Sequence, residues 1–247
     1  MRRILAILML WATQGMASEP ALRFAVAESW NMPLMQVDDG RPVDGILHEL
    51  MQTLAQRVGC RAEYHVMARL RLRQAMDDGD VDVRCHVSRR WIGPDIANRA
   101  WSVPLFRQRD VLVGRVDDIA PDTAQLLPGQ PIGTVLGYSY PTLEPMLGEG
   151  RLHREDSRNQ VLVLQKLQAG RYRHAVSNQL TLDWYNRQQP AAQRLRVVTV
   201  LEEQDLACVV RDAPQVPVKR ILEALREMKR SGEVERIVQR YAGPLSK

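Results

Sequence analysis

The sequence predicts an α/β fold made of two units of similar size. Apolar runs with strand-like spacing alternate with amphipathic helical segments along the 247 residues. The alternation restarts after Pro121, and no low-complexity linker separates the two halves. Strand–helix–strand order is typical of a parallel sheet with right-handed crossovers. Two such units without a flexible linker indicate two lobes with a cleft between them, and clefts between domains are preferred ligand sites.

The first unit begins with an apolar strand at 22–27. Apolar residues at helical spacing over 45–58 predict a helix that ends at Gly59. The remaining predicted elements are a strand at 61–66, a short helix at 70–76, a turn at 77–80, and strands at 81–87 and 109–116.

The second unit repeats the pattern and leads into a helical C-terminus. Predicted strands lie at 131–136, 173–177, 195–201 and 206–210, and predicted helices at 141–147, 157–168, 180–187, 218–229 and 233–241. We expect Ser157 to cap the 157–168 helix and Gly170 to end it.

The N-terminus has the three-part layout of a secretory signal peptide. Arg2 and Arg3 precede a compact apolar run at 4–12, and small residues follow at Gly15 and Ala17. The apolar run is too short to cross a bilayer, which needs about 20 apolar residues. We therefore expect residues 1–17 to be cleaved and a soluble chain, without a lipid anchor, to be exported to the periplasm.

Composition excludes several classes of function. The formal net charge is +5, but no basic block with interleaved aromatic residues indicates nucleic-acid binding. The five His are scattered, so neither a metal nor another cofactor is expected. Cys60, Cys85 and Cys208 lack metal-type spacing. An odd count permits one disulfide, but buried free thiols are the favoured interpretation.

Seven short segments in order carry a resemblance to a known family. They are RFAVAESWNMP, GILHEL, GDVDV, WSVPLF, IGTVLGYSY, LQAGR and EMKRSGEVERIVQRYAG. The chain resembles periplasmic solute-binding proteins of family 3, the polar amino-acid binders with a type II periplasmic binding fold. This resemblance implies two α/β lobes joined by two hinge strands that close on a ligand. Lobe one would comprise 18–112 plus 206–247, and lobe two 113–205.

The resemblance also implies a set of ligand-binding residues in lobe one. Trp30 follows the first strand, where the family has an aromatic residue that covers the ligand. Arg71, in an alternating Arg69-Leu-Arg71-Leu-Arg73 segment, resembles an arginine that could clamp a carboxylate bidentately. The loop after the third strand supplies the other candidates, which are His86, Ser88, Arg89, Arg90 and Trp91.

In lobe two the resemblance points to Tyr138, Ser139 and Asn178. Ser139 occupies a hydroxyl position at a predicted helix start, where backbone N–H groups attract anions. Two departures from the family pattern stand out. The expected loop arginine falls on Asp95, and Asn178 replaces an aspartate that pairs with an α-ammonium group. The ligand is therefore expected to carry a carboxylate without strictly needing an ammonium.

The predicted function is capture of a small polar molecule, and the predicted partner is the membrane permease of an ABC importer. The chain is expected to be a monomer and not an enzyme. One alternative is a periplasmic sensor or accessory protein that presents a ligand to a membrane sensor. A second alternative is a dehydratase-like enzyme on the same fold, although the acidic residues Glu28, Glu144 and Asp183 have no catalytic partner at a recognisable spacing.

Overall fold

The computed structural model describes residues 19–92, 99–116 and 129–242. The strands are β1 (Ala21–Ala27), β2 (Gln36–Asp38), β3 (Arg41–Asp44), β4 (Arg61–Met67), β5 (Val83–Val87), β6 (Arg99–Trp101), β7 (Phe106–Gly114), β8 (Gln130–Val135), β9 (Leu152–Ser157), β10 (His174–Asn178) and β11 (Arg196–Arg211). The α-helices are α1 (Ile46–Arg57), α2 (Leu72–Asp77), α3 (Arg89–Ile92), α4 (Glu144–Gly148), α5 (Gln160–Gln168), α6 (Gln179–Arg187), α7 (Val218–Arg230) and α8 (Glu233–Ala242).

One continuous sheet runs through the molecule in the order β4-β1-β5-β11-β7-β10-β8-β9, with β6 paired to β11. At one end, β1 pairs in parallel with β4 and β5. At the other end, β8 pairs in parallel with β9 and β10. The predicted α/β class is therefore confirmed. The hairpin of β2 and β3 forms a separate two-stranded sheet.

Two long antiparallel strands join the halves of this sheet. The first part of β11 pairs with β7, from Arg196 opposite Gly114 to Leu206 opposite Phe106. The last part of β11 pairs with β5 and β6. We call the half that contains β1, β4, β5 and β6 lobe one, and the half that contains β8, β9 and β10 lobe two. The predicted two-lobed fold is confirmed, whereas the residue boundaries of the lobes stay a prediction.

The two lobes are built on different cores. Lobe one has a single large cluster of buried side chains, into which α1 places Leu47, Leu50 and Leu54. The helix approaches so closely that a Cβ on Gly45 would lie 2.7 Å from the Leu34 carbonyl oxygen, so only glycine fits there. Lobe two has two smaller clusters, one around Val163 and Leu164 and the other around Tyr140 and Leu143.

A carboxylate also ties the strands of lobe one together. Asp82 receives hydrogen bonds from Arg23 at 2.7 Å and from Arg211 at 2.8 Å, and its side chain is 8% exposed. The three residues come from β1, from the turn before β5 and from the end of β11. Asp82 therefore links the parallel strands to the strand that returns from lobe two.

Two details of the predicted elements are wrong. Ser157 is the last residue of β9 and does not cap a helix. Helix α5 begins later, and its cap is Asn159, whose side chain accepts a hydrogen bond from the Leu162 N–H at 2.9 Å. The strands predicted at 195–201 and 206–210 are one strand, β11, because its pairing with β7 continues without a break between them.

The prediction of three free thiols is wrong for two of them. Cys85 and Cys208 form a disulfide between β5 and β11. Neighbouring antiparallel strands bring the two residues together, although 123 positions separate them in the sequence. Cys60 is free and buried, as predicted.

The predicted signal peptide at 1–17 lies outside the described residues. Within the described ranges, no helix combines the length and apolar character needed to cross a membrane.

Candidate ligand-binding cleft

A cleft lies between the lobes beyond the carboxyl ends of their parallel strands. Ligands of open α/β sheets commonly bind at this edge, because loops that follow several strands converge there. The lining residues are Leu34, Arg69, His86, Trp91, Gln108, Asp110, Tyr138, Ser139, Tyr140, Gln160, Val176, Ser177 and Asn178. The free volume between them is about 20 Å³, which is room for about one water molecule.

Arg69 occupies the centre of this cleft. It begins the short 3-10 turn that follows β4, so the strand delivers its side chain to the cleft edge. Its guanidinium carbon lies 4.3 Å from the ring centroid of Tyr138 in lobe two and 5.6 Å from that of Trp91 in lobe one. The cation therefore lies between aromatic rings contributed by both lobes, a favourable cation–π arrangement.

Other contacts also join the two sides of the cleft. The Tyr138 hydroxyl lies 3.3 Å from the Ser29 hydroxyl of lobe one. The side chain of Leu70 packs against Gly137, where an added Cβ would meet it at 3.0 Å. At the outer edge, Arg187 of α6 donates hydrogen bonds to the carbonyls of Tyr241 and Ala242 at the end of α8. The lobes are therefore in a closed arrangement.

His86 forms an uncharged wall of the cleft and is packed among aromatic rings. It is 4% exposed, and its ring lies 5.7 to 6.1 Å from the rings of Trp30, Trp91 and Phe106. Burial, together with the charge of Arg69, lowers the pKa of His86 to about 3. Neither ring nitrogen has a hydrogen-bond partner among the described residues. A neutral imidazole with both nitrogens free can donate one hydrogen bond and accept another.

Two carboxyl groups lie next to each other on β7 and β11, and one of them, Asp110, lines the cleft. Asp110 of β7 is directly opposite Glu202 of β11. Glu202 forms an ion pair with Arg90 at 2.6 Å. Asp110 instead accepts hydrogen bonds from two amides, at 2.8 Å from Gln108 and 3.3 Å from Gln204. Burial raises the pKa of Asp110 to about 7, and the charge of Glu202 acts in the same direction.

Several polar groups through which lobe two lines the cleft already form hydrogen bonds within that lobe. The Asn178 Oδ1 accepts a hydrogen bond from the Thr181 N–H at 2.8 Å and so caps α6. The Gln160 amide donates to the Val176 carbonyl at 2.6 Å. The Tyr140 hydroxyl accepts from the Val135 N–H at 2.9 Å. These bonds hold the lobe-two wall of the cleft in a fixed shape.

Half of the residues predicted from the sequence line this cleft. They are His86, Trp91, Tyr138, Ser139 and Asn178. The other half lie elsewhere. Arg71 is exposed on the 3-10 turn, and Ser88 is buried directly before α3. Arg89 stacks on Trp101, Arg90 pairs with Glu202, and Trp30 lines a neighbouring cavity. Asp95 lies outside the described residues.

The neighbouring cavity opens beside the cleft, also between the lobes, with a volume of about 400 Å³. Trp30 and Met35 line it from lobe one, and Gln165 and Trp184 line it from lobe two. The Trp30 side chain is buried, and its Nε1 has no partner in the described part of the chain. The indole also contacts His86, so the cavity and the cleft share a wall.

Two residues of the cleft lining that can carry a charge, Arg69 and Asp110, were not predicted from the sequence. A usable signal existed for Arg69, because the first residues after a parallel strand are those that reach the ligand edge of a sheet. Arg71 is two residues further along, is exposed and does not line the cleft. Asp110 lies within an apolar strand, and no local pattern distinguishes it. The described residues contain no group of His, Cys, Asp or Glu side chains that could hold a metal ion.

The family model for bacterial extracellular solute-binding proteins, family 3, matches residues 22–244 of this chain. The chain belongs to this family. Its members are binding proteins that act outside the cytoplasm, and the two-lobed structure with a cleft agrees with that assignment. No curated protein sequence matches this family 3 chain.

Solved structures share the fold of this family 3 protein. An ancestral arginine-binding protein bound to arginine is 22% identical, with a TM-score of 0.72, covering 90% of this chain and 98% of that chain. The GluR0 ligand-binding core from Nostoc punctiforme in complex with L-glutamate is 19% identical, with a TM-score of 0.71 and coverages of 90% and 100%. The periplasmic VFT2 domain of Bordetella pertussis BvgS is 20% identical, with a TM-score of 0.69 and coverages of 90% and 94%.

Proposed function

We propose that this family 3 protein captures a small, carboxylate-bearing polar solute in the periplasm and delivers it to the permease of an ABC importer. The observation that carries the proposal is the position of Arg69, a cation between the two lobes at the centre of the cleft. A guanidinium group matches a carboxylate with two parallel hydrogen bonds, so it is suited to anchor such a ligand. The signal-peptide layout at 1–17 supports export.

Binding on this proposal requires the lobes to separate. The free volume of about 20 Å³ is too small for any organic solute. Strands β7 and β11 join the two lobes, so opening of the cleft would bend these two strands. The ligand carboxylate would then replace the Tyr138 ring as the partner of Arg69 and accept two hydrogen bonds from its guanidinium group. The lobes would close again around the bound ligand.

Calorimetric titration of two matched arginine variants tests the proposal. Arg69→Ala removes the group in the cleft, and Arg71→Ala removes the same side chain two residues away on the exposed side of the same turn. A hydrogen bond to a charged group contributes about 1.5–3 kcal/mol, so Arg69→Ala should weaken binding roughly 10- to 150-fold. Arg71→Ala should bind like the wild type.

A thermal-shift screen of small acids and amino acids supplies the ligand for this titration, because a solute at 100 times its Kd stabilises the folded protein by about 2.7 kcal/mol. Equal losses in both variants would argue against a specific clamp at Arg69. Unchanged affinity in Arg69→Ala would contradict the proposed anchor.

A second candidate function is ligand sensing for a membrane partner. It is favoured by the closed arrangement that Arg69, Tyr138 and Ser29 maintain with the protein's own side chains. Similarity to the VFT2 domain of BvgS supports the same candidate at the level of fold. Solution scattering during the titration separates the two candidates. An importer component that opens for its ligand should contract on binding, whereas a constitutively closed sensor domain should keep its radius of gyration.

A further inference from the structure

A tight turn at the end of β8 presents Tyr138 to the cleft. The turn runs from Val135 to Tyr138 and is closed by a hydrogen bond of 3.1 Å from the Tyr138 N–H to the Val135 carbonyl. Its third residue, Gly137, has a φ of 75°, the left-handed conformation that glycine adopts in type II turns. Helix α4 does not begin until Glu144, so Tyr138 is held by contacts of the turn rather than by a helix.

Arg154 of β9 binds both ends of this turn from outside the cleft. Its Nη1 donates a hydrogen bond to the Tyr138 carbonyl at 3.0 Å, and its Nη2 donates one to the Val135 carbonyl at 2.9 Å. These carbonyls belong to the first and last residues of the turn, so a single guanidinium group fixes the distance between them. Arg154 itself does not line the cleft.

Two neighbours hold the Arg154 guanidinium group in this orientation. Asp156, two residues further along β9, accepts hydrogen bonds from its Nε at 3.1 Å and its Nη2 at 2.9 Å. The same carboxylate oxygen accepts a hydrogen bond from the Thr134 hydroxyl of β8 at 2.6 Å. The guanidinium carbon also lies 5.3 Å from the ring centroid of Tyr140, within the range of a cation–π contact. Arg154 is therefore fixed by groups of lobe two alone.

The position of Tyr138 matters because its side chain makes two contacts with lobe one. Its ring centroid lies 4.3 Å from the guanidinium carbon of Arg69, and its hydroxyl lies 3.3 Å from that of Ser29. The hydroxyl is the far end of the side chain, so a rotation of the turn displaces it further than it displaces the backbone. The contacts that close the lobes thus depend on how firmly the turn is held.

Resting on the proposed function, we infer that Arg154 is a positioning residue for the cleft: it fixes the turn that places Tyr138 against Arg69, and it thereby strengthens closure on a solute that it does not contact. Arginine suits this role because its planar, rigid fork of donors can bond two carbonyls and a carboxylate at once. Strand β9 lies at the edge of the sheet, so affinity is set in part from the outer strand of lobe two.

The test is calorimetric titration with the small acid or L-amino acid that gives the wild-type protein its largest thermal shift. Arg154→Ala should weaken binding roughly 5- to 30-fold, the factor that corresponds to about 1–2 kcal/mol, because Tyr138 is no longer held against Arg69. The matched control is Arg151→Ala. Arg151 is an exposed arginine of lobe two that pairs with Glu149 at 3.3 Å and does not line the cleft. This control should bind like the wild type.

A double-mutant cycle separates positioning from a general loss of structure. In a Tyr138→Ala background, Arg154→Ala should change Kd by about twofold or less, since the side chain through which Arg154 acts is missing. An equally large loss of affinity in both backgrounds would overturn the inference, because Arg154 would then affect binding by a route that does not involve Tyr138.

Arg154→Lys guards against a variant that folds poorly. The lysine ammonium group can keep the ion pair with Asp156, but it lacks the fixed fork that bonds both carbonyls. This variant should therefore unfold closer to the wild-type temperature than Arg154→Ala does, while its binding stays weaker than that of the wild type by roughly fivefold or more. Wild-type affinity in Arg154→Lys would mean that charge alone is sufficient and would contradict the positioning role.

Hydrogen exchange of the ligand-free protein distinguishes failure of this inference from failure of the proposed function. The Tyr138 amide, which closes the turn, should exchange faster in Arg154→Ala than in Arg151→Ala. If no screened solute binds the wild type but this difference is present, the proposed function fails and the placement of Tyr138 by Arg154 stands. If solutes bind and the amide exchanges equally in both variants, the inference fails and the proposed function stands.

Discussion

Lobe one and lobe two present facing walls of the same cleft, but they are stabilised by different means. Lobe one has a single core, a disulfide between β5 and β11, and a carboxylate, Asp82, bound by two arginines. Lobe two has two smaller clusters, and buried tyrosine hydroxyls bond to its backbone at Val135 and Val163. A disulfide and a shared carboxylate between strands thus support the wall that carries Arg69 and His86. The wall that carries Tyr138 is held by hydrogen bonds, including those that Arg154, paired with Asp156, donates to the carbonyls of Tyr138 and Val135.

This difference indicates where the cleft can adapt. A native disulfide contributes about 2–5 kcal/mol, which is more than a single hydrogen bond, since that contributes about 0.5–1.5 kcal/mol between neutral groups and about 1.5–3 kcal/mol when one group is charged. Lobe one is therefore expected to keep its shape when the cleft opens, and lobe two is expected to accommodate changes in the ligand. Three substitutions test this contrast, in decreasing order of expected effect.

Removing the disulfide should cost the most. Chain-entropy arguments give about 2–5 kcal/mol for a native disulfide, with values toward the upper end when the closed loop exceeds 100 residues, and here 123 positions separate the cysteines. The double variant Cys85→Ala/Cys208→Ala should lose about this much unfolding free energy in urea titrations. Cys60→Ala, which removes a buried thiol and leaves the disulfide intact, is the control. Equal stability of the two variants would show that the disulfide does not brace lobe one.

Asp82→Ala should have the next largest effect. The substitution leaves Arg23 and Arg211 without their shared carboxylate, and we expect a loss of about 2–4 kcal/mol, moderated because Arg23 is 30% exposed. Burial alone would raise the pKa of Asp82, but hydrogen bonds from the two arginines hold it below the ordinary value. The stabilisation is thus present above about pH 4 and is lost as pH falls through the lowered pKa.

The matching measurement is urea denaturation of wild type and Asp82→Ala from pH 2 to 7. The stability difference should shrink at the acid end of this range. A difference that stays constant down to pH 2 would mean that packing, rather than charge, accounts for the loss.

Tyr140→Phe should have the smallest effect of the three. It leaves the buried N–H of Val135 without an acceptor, which costs about 1–2 kcal/mol. Tyr172→Phe is the control from the same lobe, because it removes only a donor to the Val163 carbonyl, which also accepts a bond within α5. Hydrogen exchange should show faster exchange at Val135 in the first variant alone. If Tyr140→Phe lost more unfolding free energy than Asp82→Ala, the expected contrast between the lobes would be reversed.

The alternation of strands and helices was predictable because buried parallel strands and amphipathic helices leave strong periodic signals. Strand β9, with sequence LHREDS, was missed because it is an edge strand and places only Leu152 and Ser157 in buried positions. The disulfide was missed for a different reason. Cys208 lies beside Cys85 because β11 pairs with β5 after the chain has passed through lobe two. No sequence pattern near either cysteine indicates this pairing.

The candidate site was predictable only in part. Five of the predicted residues line the cleft, because loops that follow the strands converge at its edge: His86, Trp91, Tyr138, Ser139 and Asn178. The clamp was assigned to Arg71 because its segment resembles an arginine segment of the family. Which of the neighbouring arginines reaches the cleft depends on where β4 ends and the 3-10 turn begins. Asp110 reaches the cleft only through its register against β10 and β11, which are distant in sequence.

The bond between Cys85 and Cys208 also closes a covalent ring that contains lobe two, the whole of β7, and β11 as far as Cys208. Proteolytic cleavage at any single peptide bond within that ring leaves the two fragments attached through the sulfur atoms. A nicked molecule would keep its full mass on a non-reducing gel and separate into fragments only after reduction. Purified protein should therefore be checked under reducing conditions before a binding measurement is interpreted.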